Sequence, residues 1–92
     1  MMEHELKIEP KFLARIKDSS KTFEIRKNDR DFQVGDTLIL KEFDPKEGWP
    51  NHGVYDSLAV KVTYLTTAYQ QDGYVVMGLS INQQKEVQGY KS

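Results

Sequence analysis

One short stretch of the sequence concentrates side chains that can bind a polar ligand. Apolar and polar residues alternate over residues 21–27, as in a strand, which predicts that Glu24 and Arg26 lie on one face. A guanidinium offers paired donors to a phosphate or a base edge, and a carboxylate accepts from an amino or hydroxyl group. More basic and polar side chains follow at the next turn. The candidate ligand-binding residues are Lys21, Glu24, Arg26, Lys27, Asn28 and Arg30.

The same residues also allow a purely structural interpretation. Glu24 and Arg26 can form an ion pair that only stabilises the strand, and Lys27 and Arg30 can be solvated charges beside a turn. Aromatic rings that could stack on bases are available, and His4, Trp49 and Tyr74 are candidate walls of a cleft. A single tryptophan such as Trp49 more often covers the core than stacks on a base, and a lone histidine is more often structural than a ligand.

The charge distribution predicts a local anion site. The 92 residues include 13 basic and 14 acidic side chains, a net charge of −1. Residues 11–30 carry seven basic and three acidic side chains, a net charge of +4, whereas both flanking parts are acidic. A uniformly basic chain would indicate non-specific nucleic-acid binding. This chain instead indicates a basic patch on an acidic body.

Several classes of protein are disfavoured by residues that the sequence lacks. Cysteine is absent, and no histidine pair or carboxylate cluster has the spacing of a metal site, so no metal is expected. No glycine-rich phosphate loop or nucleophile elbow occurs, so no cofactor is expected. No apolar run is long enough to cross a membrane and the start has no signal-peptide pattern, which favours a cytoplasmic location without membrane contact.

The elements that position these residues follow from periodicity. A first strand over residues 4–8 should point Leu6 and Ile8 inward, and Pro10 suits the first turn of a short helix. A second strand should bury Phe23 and Ile25 and expose the face that carries Glu24. The apolar face of the helix should consist of Phe12, Leu13 and Ile16.

Three further strands are predicted over residues 37–43, 57–68 and 74–82. The second of these should point Val62 and Tyr64 to the same side. A loop of about a dozen residues, 44–56, contains Trp49, and the polar residues 83–92 form a tail after a single domain over residues 1–82. The expected fold is mainly β with one short helix (α+β), a small barrel of about five strands, with a flat sheet as the alternative.

The stretch from residue 19 resembles the signature of ASCH domains. Ser19-x-Lys21-x-x-Glu24-x-Arg26 is similar to Gly-x-Lys-x-x-Glu-x-Arg, with Ser in place of the first Gly. The wider run over residues 21–36, together with residues 4–8 and 73–77, resembles a small phage and bacterial family of unestablished function in the ASCH/PUA-like superfamily. The resemblance implies a PUA-like barrel with Lys21, Glu24 and Arg26 in a cleft. If position 19 requires a positive φ angle, Ser is less comfortable there than Gly.

Three functions remain as hypotheses. The first is a module that binds RNA, a nucleotide or a nucleoside, as ASCH domains are suspected to do. The second is a small amidohydrolase, because some ASCH proteins remove the acetyl group of N-acetylated cytidine with a lysine, a threonine and a distant glutamate. Glu24 stands in place of that threonine, and residues 69–73 are too short to supply the distant glutamate. The third is a protein-interaction module of a phage or mobile element, with the 44–56 loop as its contact.

Overall fold

The computed structural model describes residues 1–47 and 56–81. Trp49 and the polar tail over residues 83–92 therefore lie outside the described residues, as does most of the predicted 44–56 loop. The described chain contains β1 (Glu3–Ile8), α1 (Pro10–Lys17), β2 (Phe23–Lys27), β3 (Thr37–Glu42), β4 (Ser57–Thr66) and β5 (Tyr74–Ile81). This order of elements is the one that the sequence predicts.

The five strands form one mixed sheet in the order β1-β3-β4-β5-β2. β1 pairs with β3 in parallel, and the other neighbours are antiparallel. The sheet curls into a half-barrel, which confirms the prediction of a mainly β fold with one short helix. β1 and β2 are the two ends of this sheet, so each has one edge that no described strand pairs with.

The core fills the inner face of the half-barrel. Alternate residues of the strands point into it, as the period of two requires, and α1 covers it with Leu13 and Ile16. Each large apolar side chain buried there contributes about 1.5–3 kcal/mol. The buried apolar residues of the strands and loop are Leu6, Ile8, Phe32, Leu38, Leu40, Val60, Val62, Val75, Met77 and Leu79.

The short helix begins where its sequence predicts. Pro10 occupies its first turn, and the chain leaves it at Asp18. Phe12 differs from its two apolar neighbours on the helix because it stays partly exposed. No helix within residues 1–47 and 56–81 is long and apolar enough to cross a bilayer.

A β-bulge in β4 overturns one prediction about side-chain direction. The register with β5 shifts between Val62 and Tyr64, so Val62 is buried while Tyr64 is 64% exposed. The extra residue reverses the alternation that would have placed both on one side. Gly78 lies opposite Tyr64, and a Cβ atom there would lie only 3.3 Å from the Tyr64 Cβ. The missing side chain at Gly78 therefore accommodates the bulge.

Candidate functional site

β2 is oriented opposite to the prediction, and this places charge inside the half-barrel. Glu24 is only 6% exposed, whereas Phe23 and Ile25 are 43% and 49% exposed. In the register with β5, Glu24 lies opposite the buried Met77 and Arg26 opposite the buried Val75, so both share the inner face. The prediction that Phe23 and Ile25 point inward is therefore wrong. The charges take the inner position because they find partners there.

Glu24 is held by two cations, one on each carboxylate oxygen. The Lys21 Nζ donates to Oε1 at 2.8 Å, and the Arg26 Nε donates to Oε2 at 2.7 Å. Burying a carboxylate without such partners would cost several kcal/mol. Lys21 also donates to the Phe23 carbonyl oxygen at 2.8 Å. Its ammonium therefore acts as a fixed cation that positions the Glu24 carboxylate.

Two arginine side chains cross the gap between the ends of the sheet. The Arg26 Nη2 donates to the backbone oxygen of Lys7 at 2.6 Å, and the Arg30 Nη1 donates to that of Glu5 at 3.0 Å. Both oxygens belong to the unpaired edge of β1. Arginine side chains thus take the place of the strand pairing that would close a full barrel. Each guanidinium has five N–H groups, so further donors remain for a ligand.

A cleft of about 430 Å³ lies between β1 and β2. This volume falls in the usual range of small-molecule sites. Its walls combine apolar and aromatic surface with four basic and three acidic side chains. The lining residues are Leu6, Lys7, Ile8, Glu9, Phe12, Glu24, Ile25, Arg26, Lys27, Asp29, Arg30, Phe32 and Tyr74.

Lys21 does not line this cleft, but its ammonium contacts two residues that do, Glu24 and, at 5.6 Å from the ring centre, Phe12. Together with Ser19, Lys21 lines a separate hollow of about 270 Å³ at the end of α1. Ser19 has a φ angle of 67°, so the residue that replaces Gly in the ASCH-like stretch adopts the left-handed conformation. The chain turns sharply there, and the Lys21 backbone amide donates back to the Arg15 carbonyl at 3.0 Å. This turn sets the position from which Lys21 contacts Glu24.

Lys27 and Asn28 have different environments although they are adjacent. Lys27 is exposed and lines the cleft. The Asn28 side chain accepts from the Phe32 backbone amide at 3.1 Å, and its backbone amide donates to the Gly73 carbonyl at 2.7 Å. Asn28 thus holds the loop after β2 in place and lies outside the lining of the cleft.

Of the candidate wall residues, Tyr74 lines the cleft and His4 does not. His4 is buried, with its ring edge-on to Phe32 at a centroid distance of 4.8 Å. Its Nε2 donates to the Asp36 carboxylate at 2.8 Å, which ties β1 to the turn before β3. Burial raises the pKa of Asp36, but hydrogen bonds from the His4 ring and two backbone amides outweigh this and hold it below its ordinary value. This pair is therefore a structural support beside the cleft.

The sequence alone did not identify the residues that β1 and α1 contribute to the cleft. Phe12 lines it from the helix and Lys7 from β1. The only sequence indication was the alternation of β1, which places Lys7 opposite in direction to Leu6 and Ile8. Within residues 1–47 and 56–81, no three histidine, aspartate or glutamate side chains are grouped to hold a metal ion.

Comparison with known families gives a match over most of the chain. Residues 3–79 match the model of a family described as "Domain of unknown function (DUF3850)". The match covers more than half of the chain and includes both β1 and β2, which form the cleft. No curated protein matches the chain.

Proposed function

The chain belongs to the DUF3850 family, and we propose that it binds RNA, or a nucleotide or nucleoside, in the cleft between β1 and β2. The observation that carries this proposal is the buried Glu24 held between Lys21 and Arg26 on the inner face of an end strand. A fold alone does not require these charges. Apolar residues of similar volume are often as stabilising as a buried ion pair, or more so. Charges retained on a core face beside a cleft are typical of a recognition site.

The cleft offers the groups that nucleic-acid recognition uses. Arg26 and Arg30 retain N–H donors for a phosphate or for the acceptor edge of a base. Glu24 can accept from an exocyclic amino group, as acidic side chains do from cytosine. Phe12 and Tyr74 supply aromatic surface against which a base can lie.

The resemblance of residues 19–26 to the ASCH signature supports the same proposal. Lys21, Glu24 and Arg26 occupy the signature positions, and they are the three residues joined in the ion-pair network. ASCH domains are suspected RNA or nucleotide binders. We extend this to the present chain as part of the proposal, together with a phage or bacterial context.

The contacts of Lys21 support binding rather than catalysis. The amidohydrolase hypothesis requires Lys21 to act as a base or nucleophile. The Lys21 ammonium instead donates to both Glu24 and the Phe23 carbonyl. A lysine held in this way serves better as a fixed positive charge than as a reactive amine.

A pair of arginine variants tests the proposal. Arg30→Ala removes a guanidinium from the cleft, whereas Arg15→Ala removes the same charge from α1, where Arg15 contacts Asp18 and lies outside the cleft. We expect Arg30→Ala to weaken binding of a short single-stranded RNA by about tenfold, since hydrogen bonds to charged groups contribute about 1.5–3 kcal/mol. Arg15→Ala should change the affinity by less than about twofold.

The readout is a titration followed by fluorescence anisotropy at low and moderate salt. Loss of one phosphate contact should also reduce the slope of log K against log salt by about 0.7 for a single strand. Equal losses in the two variants would place the binding outside the cleft. Failure of the wild-type chain to bind RNA, nucleotides and nucleosides at low salt would overturn the proposal.

A further inference from the structure

The outer face of the half-barrel carries an apolar and aromatic patch, formed by Phe23, Ile25, Tyr64 and Val76. In the sheet register, Phe23, Gly78 and Tyr64 lie side by side on three neighbouring strands, and Ile25 lies beside Val76 in the next row. Ile25 is about half exposed and Tyr64 more so. Contiguous apolar surface of this kind on a small domain usually marks a binding face.

A glycine separates the two aromatic residues of the patch. Gly78 lies between Phe23 and Tyr64 and has no side chain, so the backbones that carry the two rings lie two strand spacings apart, roughly 9.5 Å. Each ring is accessible to a planar group lying against it. Aromatic residues on an open sheet face are a common stacking platform for unpaired bases.

The charges around the patch favour a polyanion as its partner. Lys61 of β4 and Lys27 of β2 are exposed on this face. Neither β4 nor β5 contains an acidic residue, and the single acidic residue of β2, Glu24, points to the inner face. The outer face of these three strands is therefore basic at its borders and apolar at its centre.

β2 connects this patch directly to the cleft. It is an end strand: its inner residues Glu24 and Arg26 line the cleft, its outer residue Phe23 belongs to the patch, and Ile25 borders both. Lys27 lines the cleft and borders the patch as well. The Lys21 ammonium, which holds Glu24, also lies 4.9 Å from the centre of the Phe23 ring. A chain-like ligand can pass over the open edge of β2 from one surface to the other.

We infer that the ligand is a single strand of RNA several nucleotides long, which fills the cleft with one nucleotide and stacks further bases on Phe23 and Tyr64. This inference rests on the proposed function, because the cleft holds one end of the strand. The phosphates of the outer nucleotides lie near Lys27 and Lys61. The outer face thus makes an oligonucleotide a better ligand than a mononucleotide.

A matched pair of tyrosine variants separates this inference from the proposed function. Tyr64→Ser removes a ring from the patch, and Tyr69→Ser removes a fully exposed ring from the turn before β5. The affinities of a mononucleotide and of an eight-nucleotide single-stranded RNA are measured for both variants and for the wild type. Thermal unfolding checks that each variant is folded.

We expect the wild type to bind the oligonucleotide more tightly than the mononucleotide, and Tyr64→Ser to weaken oligonucleotide binding about tenfold, since one stacked base contributes about 1–3 kcal/mol. Mononucleotide binding should be unchanged in Tyr64→Ser, and both affinities should be unchanged in Tyr69→Ser.

Equal wild-type affinity for the two ligands, or an unchanged oligonucleotide affinity in Tyr64→Ser, would overturn the inference and leave the proposed function standing. A concentration-dependent dimer that Tyr64→Ser disrupts would overturn it too, by showing that a second copy covers the patch. Wild-type protein that binds neither ligand would remove the proposed function and the inference together.

Discussion

Glu24 is the residue on which the site depends. It is the one acidic side chain on the inner face of β2, and both of its oxygens accept from cations. The arrangement fixes three charged groups relative to one another before any ligand arrives. Such preorganisation reduces the ordering cost of binding.

Replacing Glu24 by Gln should destabilise the fold by about 2 kcal/mol, because two partly buried cations lose their counter-charge. Glu5→Gln is a matched control, since Glu5 also accepts from a lysine, Lys41, at 2.7 Å but is mainly exposed. The control should lose less than about 1 kcal/mol. Urea unfolding measures both, and equal losses would show that the Glu24 network is an ordinary surface ion pair.

Asp36 should make the stability of the fold depend on pH in the acid range. Its pKa in the folded chain lies below the ordinary value of 3.8, so the ionised carboxylate stabilises the fold at pH values above that figure. This stabilisation is lost as the pH falls below 3.8 through the folded pKa. We therefore expect the free energy of unfolding to decrease below about pH 4.

Asp36→Asn should show a smaller decrease over the same acid range and a lower stability near neutral pH, by about 1–3 kcal/mol, because a donor amide then faces the donors around it. Part of the decrease should persist, since hydrogen bonds from Ser20 also lower the pKa of Asp18. Chemical unfolding from pH 2 to pH 7 measures both chains. Identical pH profiles would contradict the role given to Asp36.

The sequence predicted which strands and which helix form, but it was less successful at predicting which face of each element is buried. Strand periodicity identified β1 to β5, because alternation is visible in the order of residues alone. Alternation does not state which of two faces is inside. Because Phe23 and Ile25 are more apolar than Glu24, a prediction from hydrophobicity assigned the wrong face of β2 to the core.

The remaining differences also depend on contacts that are distant in sequence. Tyr64 turns outward because of a register shift against β5, which no local pattern in β4 indicates. The cleft forms because β1 and β2, the first two strands in the chain, are the two outermost strands of the curled sheet. Glu24, Arg26 and Arg30 could be selected from the sequence as polar candidates, but the β1 carbonyl oxygens that the two arginines contact could not.

The open edge of β1 should give alternate backbone amides of this strand different rates of hydrogen exchange. Ile8 accepts from Phe43 of the chain after β3, whereas the Glu5 and Lys7 carbonyls face the arginines of the cleft. The amides of Glu5 and Lys7 therefore point to the unpaired edge and should exchange with solvent faster than those of Leu6 and Ile8. Hydrogen exchange followed by NMR measures this, and equal protection along β1 would show that its outer edge is paired.

In the whole molecule, the curvature of the sheet and the distribution of charge together define the binding cleft. A curled five-stranded sheet that stops short of closure leaves a cleft where its two ends approach. The net charge of −1 conceals a concentration of positive charge in residues 11–30, which include β2 and the loop that carries Arg30. Positive charge concentrated around this cleft, on a body that is otherwise acidic, favours anion binding in and beside the cleft and limits non-specific association.

The most direct test of this account is an NMR titration of the ¹⁵N-labelled chain with a short single-stranded RNA at low salt. We predict that the largest shift changes occur at the backbone amides of Lys7, Arg26 and Arg30 and at the Arg26 Nε–H, because these residues line the cleft. The amides of His4 and Asp36 should move little, since their paired side chains support the cleft without lining it. Saturating RNA that leaves the cleft amides unmoved, or shifts centred elsewhere on the chain, would contradict it.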